Sequence, residues 1–119
     1  MITGHLIKLS GKIESVTVED YKDIQKHVGG NFERVPTRQG DNCDVYVNDT
    51  GRLTELPINT VAVLWLTATH RYDAIESTIH GDVLILGPVD SEGENTNAPS
   101  LEELELRALW KEPTFTIVA

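Results

Sequence analysis

The sequence predicts an α+β fold: a mainly antiparallel sheet with two or three helices packed on it. Three observations predict it. Leu56 to Leu66 is the longest nearly unbroken apolar run, interrupted once by Asn59 and Thr60, and no charge falls between Glu55 and Arg71. Val18, Tyr21, Ile24 or Gln25, and Val28 recur at helical spacing ahead of Gly29 and Gly30. Short alternating or wholly apolar segments, such as Cys43 to Val47 and Val83 to Leu86, are set off by Gly-, Asn- and Asp-rich turns, as strands are.

In chain order, Gly4 to Ser10 reads as a strand with Ile7 and Leu9 toward the core and Lys8 outward. Ile13 to Val16 extends it or bends into the next element. Thr17 can cap a helix over 18–28, with Glu19 and Asp20 at the positive end of its dipole. Gly29 and Gly30 stop that helix. His27, in its last turn, suits the dipole better than it suits catalysis. Asn31 to Val35 and Cys43 to Val47 form a hairpin, Val45 and Val47 on one side and Tyr46 on the other. The polar residues 37–42 make its turn, and 48–51 a second one. Asn48-Asp49-Thr50 also fits a glycosylation pattern, for which the turn is explanation enough. Leu53 to Leu56 returns toward the central apolar run.

There Asn59 offers a helix N-cap, and Val61, Leu64, Trp65 and Ala68 would then share a face. A strand competes, because Val61, Val63 and Trp65 also alternate. The helix is the favoured reading, enclosed on all sides by other elements. Residues 74–79 form a mixed strand candidate and His80 to Asp82 a turn. Val83 to Leu86, four apolar residues in a row, predicts a strand covered on both faces. Asp90 to Pro99 has no large apolar residue and reads as a mobile surface loop. Ser100 and Glu103 form a capping box for a last helix with Leu101, Leu104, Ala108 and Leu109 on its stripe, Leu106 and Trp110 off it. Thr114 to Val118 adds a possible edge strand.

The chain has 119 residues, enough for one domain with its own core. The apolar run is shorter than the roughly 20 residues of a membrane span. The start, Met1 to His5, lacks the basic and apolar regions of a secretion signal, so the expected location is the cytoplasm. The formal net charge is −9. The acidity is uneven: from position 90 on, Arg107 and Lys111 stand against Asp90, Glu92, Glu94, Glu102, Glu103, Glu105 and Glu112. Such a surface repels nucleic-acid phosphates and suits either a basic partner protein or plain solubility. Cys43 is the one cysteine, between Asp41 and Asp44, which oppose a thiolate; it reads as structural.

Val28-Gly29-Gly30 with Phe32-Glu33, then Val45-Tyr46-Val47-Asn48 with Gly51, Leu56-Pro57-Ile58-Asn59 with Ala62, and Ile79-His80-Gly81-Asp82-Val83 with Gly87 follow in an order that resembles the DUF3846 family over about residues 15–87. These are small domains of unknown function common in bacteriophages, actinobacteria and mobile elements. The resemblance implies a phage-type or mobile-element accessory protein and no catalytic residues.

The chemistry-bearing motifs are few. Walker, Rossmann and Gly-x-Ser-x-Gly patterns are missing. His5, His27, His70 and His80 have no ligand spacing, and no metal or cofactor is expected. Asp90, Glu92 and Glu94 around Gly93 suggest a calcium loop, but its twelfth position falls on Leu101. A ligand site could be assembled from His70, Arg71, Tyr72 and His80, a general base near a cation, with Asn59 as a ligand-facing amide if it is not simply a cap. Glu92, Glu94, Glu102 and Glu105 are the candidate partner-binding residues. The favoured function is a non-enzymatic interaction protein that binds a host or phage protein, with no direct nucleic-acid or membrane contact. The alternatives are an acidic DNA mimic and a small enzyme or ligand-binding domain using His70 and His80. A homodimer through a sheet edge is compatible with each.

Overall fold

The computed structural model describes residues 1–38, 40–50, 55–71 and 79–106. The expectations for Gln39, Gly51 to Thr54, Tyr72 to Thr78 and everything from Arg107 on, including the end of the last helix and the final strand, lie outside them.

The order of elements is β1 (Ile2–Ile7), β2 (Ile13–Val18), α1 (Tyr21–Val28), β3 (Phe32–Val35), β4 (Asp44–Asn48), α2 (Thr60–Ala68) and β5 (Val83–Leu86). The strands form one antiparallel sheet in the order β2-β1-β5-β4-β3. The fold is therefore α+β, two hairpins joined by β5, the last of the described strands. β5 is inserted between β1 and β4, which is why Val83, Leu84, Ile85 and Leu86 are all buried.

Side chains alternate across a strand, so each face of the sheet has its own core. On one face Leu6, Tyr46, Leu84 and Leu86 pack with Ile24 and Val28 of α1. On the other, Ile7, Val45, Val47, Val83 and Ile85 pack with Val61, Ala62, Trp65 and Leu66 of α2. Val45 and Val47 are thus separated from Tyr46, as the alternation predicts. Leu9, expected in the core, is instead exposed: β1 ends at Ile7, and a turn through Gly11 (φ 90°) returns the chain so that Ile7 pairs with Ile13.

α1 starts three residues later than the periodicity suggests. Thr17 and Val18 pair with Thr3 and Ile2 at the end of β2, so sheet pairing takes them from the helix. Asp20 caps instead, its carboxylate accepting the Lys22 N–H, while Asp23 Oδ2 accepts the Glu19 N–H at 2.7 Å. Tyr21, expected on the buried stripe, is 58% exposed. Gly29 ends the helix in the left-handed conformation, returning its N–H to Gln25 O.

α2 forms where the sequence predicts, but turned. Its buried residues are Val61, Ala62, Trp65 and Leu66, followed by Thr69. Leu64 is 41% exposed, and Ala68 is exposed as well. The helix is therefore not enclosed on all sides. The bulk of Trp65, wholly buried and donating through Nε1 to Leu104 O at 2.7 Å, fixes the rotation.

Asp90 to Pro99, expected to be a mobile loop, instead belongs almost wholly to a hydrogen-bonded hairpin over residues 87–98. Gly87 donates to Thr96 O, Thr96 to Pro88 O, and Ala98 to Thr3 O. Gly87 is needed there: a Cβ would run into the backbone of Asn97 and the Thr96 hydroxyl. The Ser100–Glu103 capping box forms, but Glu105 takes φ 63° and Leu106 donates back to Leu101 O. Residues 101–105 are consequently a capped turn rather than the first turns of a long helix. That reversal also buries Leu106, expected off the apolar stripe, beside Leu104.

Candidate functional site

Asn59 sits at a junction. Its Oδ1 accepts the Ala62 N–H at 3.1 Å, and its Nδ2 donates to Ile7 O at 2.9 Å and Gly81 O at 3.0 Å. Its backbone N–H donates to Ile79 O, beside the bridge between Ile58 and His80. One buried amide thus ties β1, the approach to β5 and the start of α2. This is the cap reading with two further bonds, and it faces the interior rather than a ligand. His80 is half-buried, with Nδ1 2.6 Å from Leu56 O.

His70 and Arg71 lie beyond the other end of α2, a nine-residue helix. Its length is roughly 14 Å at 1.5 Å per residue. The two imidazoles expected to share a site stand at its opposite ends. His70 is exposed in a left-handed conformation (φ 56°). Tyr72 lies outside the described residues.

Arg71 is buried against the Trp65 ring, 5.1 Å from its centroid. Its Nε lies 3.3 Å from Asp41 Oδ1 and its Nη1 3.8 Å from Glu105 Oε1, and Nη2 donates to Asn42 Oδ1. The main chain joins in: Arg71 N–H donates to Leu66 O, and Arg38 N–H to Arg71 O. The guanidinium therefore clamps the end of α2 to the 38–44 loop and the capped turn. Beside it, burial and then Asp41 push the Cys43 thiol up to about 12, so it stays protonated and is no nucleophile. Of the four candidate partner-binding residues, Glu92 and Glu94 are exposed on the tip of the 87–98 hairpin. Glu102 is exposed on the capped turn, where Glu105 reaches Arg71.

The feature that sequence reasoning missed is a cleft of about 380 Å³ on the α1 face. Ile24, Phe32, Tyr46 and Leu86 give it an apolar, aromatic floor, and Glu19, Asp20 and Glu94 stand at its rim. Phe32 and Tyr46 meet edge to face, ring centroids 5.5 Å apart. Tyr46 OH donates to Asn95 Oδ1 at 2.9 Å, and Asn95 Nδ2 donates to Gly87 O and Asp44 Oδ2. Burial raises the phenol's pKa, so it keeps the proton it donates. The hairpin wall is thereby fixed to the floor. Of these residues only Glu94 is flagged by the sequence as a binding residue. The predicted alternation of β4 does place Tyr46 on the face opposite Val45 and Val47, and that is the signal pointing here.

A second depression, about 560 Å³, runs past Arg34, Arg38, Asp41 and Asp44. Its charges pair with one another, Arg34 with Asp44 at 3.8 Å and Arg38 with Asp41 at 3.6 Å. Among the described residues, no group of three His, Cys, Asp or Glu side chains could hold a metal ion, and no helix is long and apolar enough to cross a membrane.

The family model described as "Domain of unknown function (DUF3846)" matches residues 2–110. That span is wider than the 15–87 the motifs suggest, and it takes in β1, the hairpin and the capped turn. No curated protein and no solved structure matches the chain.

Proposed function

We propose that this chain, which belongs to the DUF3846 family, works by non-covalent contact with a protein partner, as an accessory protein of a phage or mobile element acting on a host or phage protein. The observation that carries this reading is the cleft on the α1 face: an aromatic floor with carboxylates at its rim and, among the described residues, no histidine, cysteine or lysine in its lining. Such a surface is built to be covered, not to move protons. The phage and host assignment draws on the family resemblance alone.

The two alternatives find less support. Enzyme chemistry with His70 and His80 asks for two groups that α2 holds apart. A nucleic-acid mimic asks for carboxylates in phosphate-like rows, whereas Glu92 and Glu94 belong to one turn and Glu102 and Glu105 to another, with Glu105 against Arg71. Pairing of two copies through a sheet edge is blunted on both sides. His27 Nε2 lies 3.1 Å from Thr17 O of β2, and β3 is four residues long and is followed by Pro36.

Affinity capture from a lysate of the cell that carries the gene tests the reading. The expected result is one protein retained above background and displaced by excess free chain. Retention of nothing that free chain displaces would count against it.

A further inference from the structure

We propose that the cleft between α1 and the 87–98 hairpin receives a lysine or arginine side chain of the partner protein. Its aliphatic stem would lie on Phe32 and Tyr46, with its cation between Glu19 and Glu94. This rests on the contact reading above and adds where the contact is made and with what chemistry.

The floor comes first. Half-buried Phe32 and Ile2 present apolar surface, Tyr46 adds a narrow strip at 8% exposure, and buried Ile24 and Leu86 close the bottom, so that an alkyl stem is covered on its apolar side. The rim then selects the charge. Glu19, Asp20 and Glu94 are all acidic, and among the described residues the lining has no Lys, Arg or His. Among those same residues its one other charged group is the amino group of Met1, on a residue 81% exposed at the mouth. Among the described residues, the carboxylates of Glu19 and Glu94 make no hydrogen bond or ion pair, in contrast to Asp44, Asp41 and Asp23, which are engaged. A cation arriving there meets charges that are not already answered, next to ring faces that also attract it.

An anion is excluded by the same geometry. The cleft passes the start of α1, but the Asp20 and Asp23 carboxylates already bind the N–H groups of Lys22 and Glu19. The occupant is a polypeptide rather than a free amine because the mouth is itself apolar. Tyr21 and Met1 stand exposed beside it, and only a ligand with a backbone and neighbouring residues would cover them.

The test is a titration of the 15N-labelled full chain with capped pentapeptides that differ only at the centre: lysine, arginine, norleucine or glutamate. n-Butylamine forms a separate arm. The lysine and arginine peptides are expected to shift the amides of Glu19, Phe32, Tyr46 and Asn95 saturably, with Kd below about 10 mM. Norleucine and glutamate peptides and n-butylamine are expected to bind at least about fivefold more weakly. Glu19→Gln with Glu94→Gln, two exposed changes that leave the core intact, should weaken the lysine peptide by about fivefold to tenfold. Added salt should do the same. Equal shifts by the norleucine peptide, tighter binding of n-butylamine than of the lysine peptide, or no saturable shift would overturn the assignment. The capture experiment separates the two claims. A partner retained equally by wild type and by the Glu19→Lys, Glu94→Lys variant sinks the cleft and leaves contact function standing. A chain that retains nothing sinks the contact reading itself.

Discussion

Asn59 was legible as a cap because an amide before an apolar run has few other uses, but its two further bonds were not. They run to Ile7 and Gly81, and nothing local to Asn59 announces either carbonyl. The distinction can be measured. Aspartate caps helices as well as asparagine does, so a simple cap would tolerate Asn59→Asp. Here the change replaces a donor by a second acceptor facing two carbonyl oxygens. Urea unfolding is expected to show a loss of about 2–4 kcal/mol, no less than for Asn59→Ala. Cys43 gives a second prediction. Its thiol titrates at 9.0 when unperturbed and is pushed up to about 12 in the fold. Between those values the unfolded chain has lost a proton that the folded chain keeps, so stability falls as pH rises through that window and is unaffected by this group below it. Cys43→Ala should flatten the decline between about pH 9 and 11, read from unfolding midpoints, whereas the same slope in both proteins would contradict it.

At the scale of elements, existence was easier to read than orientation. The Asn59 cap, the Gly29 stop and the four apolar residues of β5 each follow from local chemistry, and α1, α2 and β5 formed there. What the periodicity left open was competition. Thr17 and Val18 fit a helix start, yet their pairing with β1 prevails. Leu64 and Trp65 are neighbours on α2, and only the size of the indole and its bond to Leu104, far along the chain, decides which of them faces inward. Trp65→Ala is accordingly expected to cost about 3–5 kcal/mol, and Leu64→Gln about 1 kcal/mol or less. Thermal or urea unfolding of the pair reads the difference directly; equal losses would mean that the helix is rotated from its described position. The 87–98 hairpin escaped the sequence because several of its bonds run to residues far along the chain, Thr3, Asp44 and Tyr46, and its composition is that of a free loop. Gly87, which only its contact with Asn97 explains, was the residue that marked it.

At the scale of the whole molecule, the sheet has two covered faces and two characters. The α2 face is closed by Trp65, Arg71 and the capped turn, and buried Arg71 is answered there by the buried Asp41 carboxylate and the exposed Glu105. On the α1 face a short helix covers the sheet's apolar residues but leaves a cleft beside it, with carboxylates at its rim. The fold class could be read from pattern alone. The cleft could not, because Glu19 and Glu94 line it together only after β5 has entered the middle of the sheet and carried the hairpin to the start of α1. The proposed function puts the chain's working surface on this α1 face. A photo-crosslinking residue in place of Tyr21, at the mouth of the cleft, and in a second variant in place of Leu64, on the exposed side of α2, tests that claim in the cell that carries the gene. A discrete protein adduct from position 21 and none from position 64 is the predicted result; an adduct from position 64 alone, or from neither, would contradict it.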